Sequence, residues 1–396
     1  MPTNARLRTY SGPAILSYGF RPFFLGGALY AGLGILIWLP LYFGDLSIPT
    51  TFSPVDWHIH EMLYGYLPAV ITGFLLTAIP NWTGRLPLQG SPLAVLLAVW
   101  IAGRIAIGVS AVIGPIAAGV IDILFLALLA AATAREVIIG RNWRNLPPVL
   151  IVLMFLAGNV IFHVEDYYDG TAQFGSRLGL AAAVALISLI GGRVIPSFTR
   201  NWLVRENPGR LPVPYGRFDF LVLVVSLLAL ALWVSVPEWP GTAGFMLAAG
   251  TAQAARLARW AGDRTLRDRL VLILHIGYAF VPLGFLFIAA AILFPLAVPL
   301  SGGVHAWTAG AIGIMTLAIM TRASLGHTGH ELAAGPSTQA IYAAIVIAAL
   351  LRIAAAFAPD AVALLHAAGA AWIAAFWVFA VSYGPLLLRP RFSMRQ

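Results

Sequence analysis

The sequence contains no cysteine and no lysine, and it has few charged residues of any kind. Without cysteine, the chain can form neither a disulfide framework nor a thiolate metal site. Any metal must therefore be held by histidine, methionine or carboxylate side chains. Charged residues make up 10% of the 396 positions and hydrophobic residues 60%, whereas about a quarter of a soluble domain is charged. This composition excludes an ordinary soluble protein.

Apolar runs of about twenty residues, the length that crosses a bilayer as a helix, cover most of the chain. They predict an all-α fold, a polytopic membrane helix bundle of about twelve transmembrane helices in a single transmembrane domain over 1–396. Tyr18-Gly19 and Tyr215-Gly216 each introduce a group of six runs, which suggests two halves, 1–205 and 206–396, with chance as the alternative. The runs lie near 22–42, 55–79, 91–110, 112–134, 147–167, 177–196, 218–237, 242–260, 270–292, 303–323, 338–358 and 361–387.

The net charge of +9 rests on arginine alone. A basic chain can bind nucleic acid, but these arginines lie in short segments between apolar runs, where they act as topology determinants and contact lipid. If the N-terminus is cytoplasmic, only Arg104, Arg177 and Arg352 of the 24 arginines lie toward the opposite side. The pattern predicts cytoplasmic N- and C-termini and no nucleic-acid partner.

Histidines inside apolar runs are the informative polar residues, because buried polar groups in a membrane usually face a cavity, a cofactor or a partner. Their positions along the predicted helices sort them into two layers. The outer layer contains His58, His60, His163, His305 and His366, and the inner layer contains His275, His327 and His330.

The motif His58-Ile59-His60-Glu61 begins the second predicted helix. Residues two apart on a helix point about 200° away from each other, so both imidazoles cannot serve one metal in regular geometry. One histidine would ligate a metal or haem while the other forms a hydrogen bond or serves a second centre; the alternative is an interfacial cluster with Trp57. Glu61 is a candidate catalytic proton donor. Tyr64 shares the helix face of His60 and is a candidate cofactor contact.

His275 and His327 are candidates on the inner side. His275 lies inside an otherwise apolar helix and must face the bundle, either as a structural hydrogen-bonding group or as a ligand of haem iron. His327 lies in Gly326-His327-Thr328-Gly329-His330, where the glycines favour a turn. Such a turn could approach a cofactor closely or could be a solvated loop.

Arg104 and Arg352 lie several residues inside apolar runs. Either guanidinium could extend to the lipid headgroups. The alternative is bidentate pairing with carboxylates, including the propionates of a haem. Both arginines are therefore candidate cofactor-binding residues.

Several segments together resemble the NnrS family of bacterial membrane proteins, which is associated with nitric oxide stress. The similarity extends over nearly the whole chain, in the same order along the sequence. The matching segments are Gly19–Phe24, Trp57–Met62, Gly73–Gly84, Gly192–Thr199, Leu274–Tyr278 and Met320–Gly329.

The resemblance implies a multi-pass protein of the bacterial inner membrane that contains haem, expected to be of b type, and copper. His58, His60, Glu61, His275, His305 and His327 match the family pattern. His163 and His366 match it less closely, and His330 lies where the family more usually has arginine. The expected metal ligands are thus His58, His60, His163, His275, His305 and His327.

The favoured function is protection against nitric oxide, by binding and reducing it at a histidine-ligated metal with electrons from membrane quinol. Such a protein would be an oxidoreductase of the nitric oxide reductase type. The alternatives are a non-enzymatic protein that binds or senses nitric oxide or haem, and a twelve-helix transporter.

Overall fold

The computed structural model describes residues 10–83 and 87–391, with only the backbone for 81–83. Arg6, Arg8, Arg85 and Arg395, which belong to the predicted cytoplasmic arginines, lie outside the described residues. Twelve long helices form the described part. They are α1 Phe20–Phe43, α2 from Pro54 to Thr83, α3 Ser91–Gly108, α4 Pro115–Ile139, α5 Leu146–Asp169, α6 Phe174–Glu206, α7 Arg217–Ser235, α8 Pro240–Ala258, α9 Arg269–Leu293, α10 from Leu300 to Thr328, α11 Pro336–Phe357 and α12 Val362–Leu388.

The helices begin and end at ordinary capping signals. At the start of α2, the Ser53 side chain accepts a hydrogen bond of 3.1 Å from the backbone N–H of Asp56, and Pro54 occupies the first turn, where its missing N–H costs nothing. Gly44 and Gly170 follow α1 and α5 with φ of 84° and 71°. Glycine adopts this left-handed conformation without strain and so ends each helix.

Eleven of the described helices are long and apolar enough to cross a membrane, which confirms the predicted polytopic helix bundle. The remaining long helix, α8, forms where the sequence predicts it but is less apolar. It carries Gln253 and Arg256, both fully buried. The cytoplasmic placement of the termini stays a prediction.

Two of the helices contain a π-helical segment. In α2 the segment is Glu61–Tyr66, directly after His60, and in α10 it is Ala306–Ile312, directly after His305. A π segment adds a residue to the turn and changes the direction of the side chains around it, and such segments are frequent at functional sites. The segment in α2 shapes the site described below.

The order of elements repeats three times as a group of four helices, α1–α4, α5–α8 and α9–α12. A short 3₁₀ turn precedes each group, the second helix is the longest of each group, and the third begins after a glycine N-cap. The turns are Ala14–Leu16, Trp143–Asn145 and Gly262–Arg264, and the glycines are Gly90, Gly216 and Gly335.

The chain folds into two compact units. The first contains the chain up to Ala182 with Ala323–Glu331 and the segment from Phe379 onward, and the second contains Ala183–Arg322 with Leu332–Val378. The first boundary lies inside α6, away from the junction at residues 205 and 206 that separates the predicted six-helix halves. Those halves stay a prediction.

Candidate metal centre

Two histidines and an aspartate converge in the first unit. One ligand atom from each of His60 in α2, Asp122 in α4 and His163 in α5 lies within 4.8 Å of the other two, the only such group of three among the described residues. The Nε2 atoms of His60 and His163 lie 3.2 Å and 3.1 Å from the same oxygen of Asp122, Oδ2. His60 and Asp122 are fully buried and His163 is partly buried. Two imidazoles and a carboxylate form a donor set that suits a transition metal.

Oxygen acceptors face both ring nitrogens of His60. Nδ1 lies 2.8 Å from Oε1 of Glu61, and Nε2 lies 3.1 Å from Oδ1 of Asn159 as well as close to Asp122. The amide nitrogen of Asn159 donates to Oδ2 of Asp122 at 2.7 Å, which turns its oxygen toward His60. A neutral imidazole has only one N–H. A cation on Nε2 would satisfy the oxygens that this single N–H cannot.

Arg104 links the two buried carboxylates. From α3, one Nη atom donates to Oε1 of Glu61 and the other to Oδ1 of Asp122. With neutral imidazoles, Glu61, Asp122 and Arg104 together carry one net negative charge. Burying a net charge is costly, so a bound cation would also offset the charge of this cluster.

The π segment of α2 makes room for Arg104. A Cβ atom on Gly65 would lie 2.5 Å from the Nη1 atom of Arg104, so a larger residue there would displace the guanidinium. Trp100, one turn before Arg104 in α3, donates from its indole nitrogen to the Gly65 carbonyl at 2.9 Å. The contacts of Trp100 and Arg104 with Gly65 therefore fix α3 against α2 at the level of the site.

Glu61 accepts three side-chain hydrogen bonds, from Tyr30 of α1, from His60 and from Arg104. A carboxylate held in this way orients its partners. The predicted role of Glu61 as a proton donor stays a prediction, and the geometry supports a role in positioning His60. Tyr64 lies nearby and donates to the Gly175 carbonyl at 2.7 Å, which joins α2 to the start of α6.

The His58 side chain points away from that of His60, as the helical spacing predicts. The His58 ring stacks on Trp38, with the ring centroids 4.1 Å apart. His327 packs against Tyr18 and Phe20, at centroid distances of 5.7 Å and 5.4 Å. Neither residue belongs to the group of three ligands, and their role in binding a cofactor stays a prediction.

In the second unit, His275 of α9 and His305 of α10 form hydrogen bonds with threonines. Nε2 of His275 lies 2.8 Å from the hydroxyl of Thr199. That hydroxyl donates to the Ile195 carbonyl, so His275 is the donor to Thr199. Nδ1 of His305 lies 3.2 Å from the Thr308 hydroxyl. Arg352 is half-buried in α11. Cofactor binding by these predicted residues also stays a prediction.

Sequence reasoning missed Asp122 and Asn159. Asp122 is an acid in the middle of the apolar run 112–134, and Asn159 is an amide in the middle of the run 147–167. Buried polar groups of this kind are costly in a membrane and indicate a partner. The signal was present in the sequence, but the partner of each residue is four or more helical turns away along the chain and appears only in the fold.

The second unit contains another buried polar network. Nε of Arg256 donates to Oδ1 of Asp219 at 3.0 Å, and Nη1 donates to the Ser188 carbonyl at 2.9 Å and to the Tyr278 hydroxyl at 3.1 Å. Tyr278 in turn donates to Gln253 at 2.7 Å. As with Arg104 and Asp122, the ion pair joins the third and fourth helices of a four-helix group. This network contains no histidine or second carboxylate that would make it a metal site.

The chain matches a protein-family model over most of its length, while a comparison with curated proteins found no match. The matching model is described as NnrS protein, and it aligns with residues 14–391. Together with the membrane-spanning helices, this match shows that the chain belongs to the NnrS family of membrane proteins, which act in the response to nitric oxide.

Proposed function

We propose that this protein binds nitric oxide and reduces it at a metal ion held by His60, Asp122 and His163. The observation that supports the proposal most directly is the convergence of two imidazole nitrogens and a carboxylate oxygen within 4.8 Å in a buried site. Copper is our first choice of metal, because the family resemblance implies it and imidazole-rich sites suit it. A bound metal would supply a coordination position for nitric oxide and one-electron chemistry.

The residues around this site orient its proposed ligands and offset part of its charge. Oε1 of Glu61 accepts a hydrogen bond from Nδ1–H of His60 and so leaves Nε2 free for the metal, as carboxylates behind ligating histidines commonly do. Arg104 holds Glu61 and Asp122 in fixed positions and offsets one of their two charges. Nitric oxide is small and uncharged, so it can reach a buried site from the bilayer without a polar channel.

Reduction of two nitric oxide molecules to nitrous oxide and one water consumes two electrons and two protons. One quinol supplies both when it is oxidised to quinone, so the reaction balances with membrane quinol as the only reductant. We propose quinol as the donor because it shares the bilayer with the protein.

The haem stays a separate prediction. A porphyrin ring cannot occupy the space between His60 and His163, because their ring centroids are 5.0 Å apart and the Asp122 carboxylate lies against both Nε2 atoms. We therefore assign the group of three to a single metal ion. A haem would use other residues, among which His58, His275, His305 and His327 match the family pattern.

Nitrous oxide production by purified protein tests the proposal. Copper-loaded protein supplied with quinol and nitric oxide should form nitrous oxide, and Asp122→Asn should abolish its formation. His366→Ala, which changes an exposed histidine, is the control and should retain activity. Binding of nitric oxide without nitrous oxide production would instead support the non-enzymatic alternative at the same site.

A further inference from the structure

We infer that Phe52 determines which ligands reach the metal centre, by covering it with an apolar ring that admits small uncharged molecules and excludes hydrated or charged ones. The inference rests on the metal centre proposed above. It concerns the side of that centre that faces the loop between α1 and α2, residues 44–53.

The Phe52 ring contacts both imidazoles of the centre. Its centroid lies 5.2 Å from that of His60 and 5.7 Å from that of His163, and it packs edge-on against Phe162 at 5.5 Å. The side chain is 6% exposed although it lies in a loop. A molecule that approaches the two histidines from the loop therefore meets this ring first.

The loop that carries Phe52 is fixed in place by one buried serine. Ser110, 1% exposed, accepts a hydrogen bond of 2.8 Å from the backbone N–H of Thr51, and its hydroxyl lies 3.2 Å and 3.1 Å from those of Thr50 and Thr51. The backbone N–H of Ala111 also donates to the Pro49 carbonyl at 2.9 Å. Ser110 lies between α3, which carries Arg104, and α4, which carries Asp122.

A second anchor follows Phe52 directly. Ser53 caps α2 and also donates to Oδ2 of Asp56 at 2.6 Å. Phe52 is thus held between the Ser110 contacts on one side and the start of α2, which carries His60, on the other. These contacts fix the backbone on both sides of Phe52, and packing against His60, His163 and Phe162 holds the ring over the imidazoles.

Ligands differ in how much hydration they lose when they pass such a ring. A charged or strongly hydrated molecule must give up its hydration shell to enter an apolar layer, which costs free energy, whereas nitric oxide has little hydration to lose. A fixed phenyl ring beside the ligands therefore favours nitric oxide over anions such as azide and over water-soluble chelators. The site would thus gain specificity for nitric oxide because it excludes competing anions and chelators.

The rate at which a hydrophilic chelator removes copper from the loaded full-length protein tests this inference. Phe52→Ala should bind copper with the wild-type stoichiometry but lose it to EDTA at least about tenfold faster, since the opening step no longer requires displacement of the ring. Phe52→Leu, which keeps an apolar side chain, should release copper at close to the wild-type rate. Phe174→Ala, which removes a phenylalanine that is 36% exposed, is the matched control and should leave the rate unchanged.

Azide provides a second readout. Its affinity for the copper-loaded protein, measured from the change in the absorption spectrum, should rise by about tenfold or more in Phe52→Ala, because the bound anion no longer lies against an apolar ring and keeps part of its hydration. Ser110→Ala keeps the ring but removes its anchor, and should give an intermediate rise. If Phe52→Ala does not retain copper, the azide affinity and the rate of copper release to EDTA are compared between wild type and Ser110→Ala instead.

The outcomes separate this inference from the proposed function. If wild-type protein binds no metal at the three ligands, the metal centre is wrong and this inference is wrong with it. If wild-type and Phe52→Ala proteins bind copper equally and release it to EDTA at equal rates, the metal centre stands and the role of Phe52 is wrong. If Phe52→Ala cannot be loaded with copper, equal rates of copper release to EDTA in wild type and Ser110→Ala would contradict the inference.

Discussion

Nδ1 of His60 lies 2.8 Å from Oε1 of Glu61, the next residue in the chain. Neighbouring helical residues do not usually face each other, and the contact occurs where α2 changes from α-helix to the π segment that begins at Glu61. The change in helical geometry thus gives His60, the proposed ligand, a carboxylate partner from the adjacent position. It also leaves Nε2 of His60 directed toward Asp122 and His163.

Replacing Glu61 should weaken metal binding without removing a ligand. Loss of a carboxylate that orients a ligating histidine typically lowers metal affinity by about 10–100-fold. We expect Glu61→Gln to lower copper affinity by that order, as measured by competition with a chelator of known affinity. Asp169→Asn removes an exposed carboxylate at the end of α5 and should have no effect. Equal affinities in the two variants would show that Glu61 does not position His60.

Removal of Arg104 should destabilise the first unit. Arg104→Leu leaves two buried carboxylates without their shared counter-ion, and breaking a buried ion pair in this way costs about 3–5 kcal/mol. Arg104→Lys should recover part of the loss, because an ammonium group can pair with one carboxylate but cannot bridge two as a guanidinium does. Thermal unfolding in detergent measures the effect.

The exposed Arg144 provides the control for Arg104. Arg144→Leu should unfold at the wild-type temperature. If Arg104→Leu did the same, the hydrogen bonds to Glu61 and Asp122 would contribute no net stability, and the assignment of Arg104 as their counter-ion would be wrong.

A glycine in α6 tests the polar network of the second unit. A Cβ atom on Gly192 would lie 2.1 Å from Nη2 of the buried Arg256, and the guanidinium cannot shift without disturbing its hydrogen bonds to Asp219, Ser188 and Tyr278. We expect Gly192→Ala to destabilise the protein by about 1–3 kcal/mol or more, as overpacking of a core does. In Gly244→Ala the new methyl group meets nothing within 4 Å.

Gly244→Ala should therefore be neutral or slightly stabilising, since alanine is the better helix former. The unfolding temperatures of the two variants in detergent compare a buried and an open glycine of the same unit. If Gly192→Ala matched Gly244→Ala, the close packing of Arg256 against α6 would be wrong.

The distribution of arginines predicts the topology. Reporter fusions should place the loop between His163 and Arg177 outside and the arginine-rich segment 253–269 in the cytoplasm, because positively charged loops are retained on the cytoplasmic side. Fusions within the 206–217 segment serve as an internal check and should agree with those at 253–269. The opposite location of either loop would contradict the predicted layering of the histidines.

The sequence predicts the twelve helices well because each needs only a local signal, about twenty apolar residues between breaks in the pattern. The same local rule predicts that His58 and His60 point apart, and the stacking of His58 on Trp38 agrees with it. Even α8, the least apolar helix, forms at its predicted place.

The sequence predicts the candidate site less completely than it predicts the helices. His60 and His163 were candidates, but Asp122 was not, and the three residues come from α2, α4 and α5. Their convergence depends on helix packing and on a π segment, neither of which has a reliable signal in one sequence. For Arg104 the sequence left two alternatives, extension to the lipid headgroups and pairing with carboxylates, and the structure pairs it with Glu61 and Asp122.

The metal content of purified variants tests the metal centre most directly. After loading with copper and removal of the excess, we expect wild-type protein to retain one tightly bound ion at the three ligands, and His60→Ala, His163→Ala and Asp122→Asn each to lose it, because removal of one ligand disrupts a shared site. His366→Ala should retain the ion as wild type does. Folded His60→Ala and Asp122→Asn proteins that keep the same ion with unchanged affinity would contradict the account.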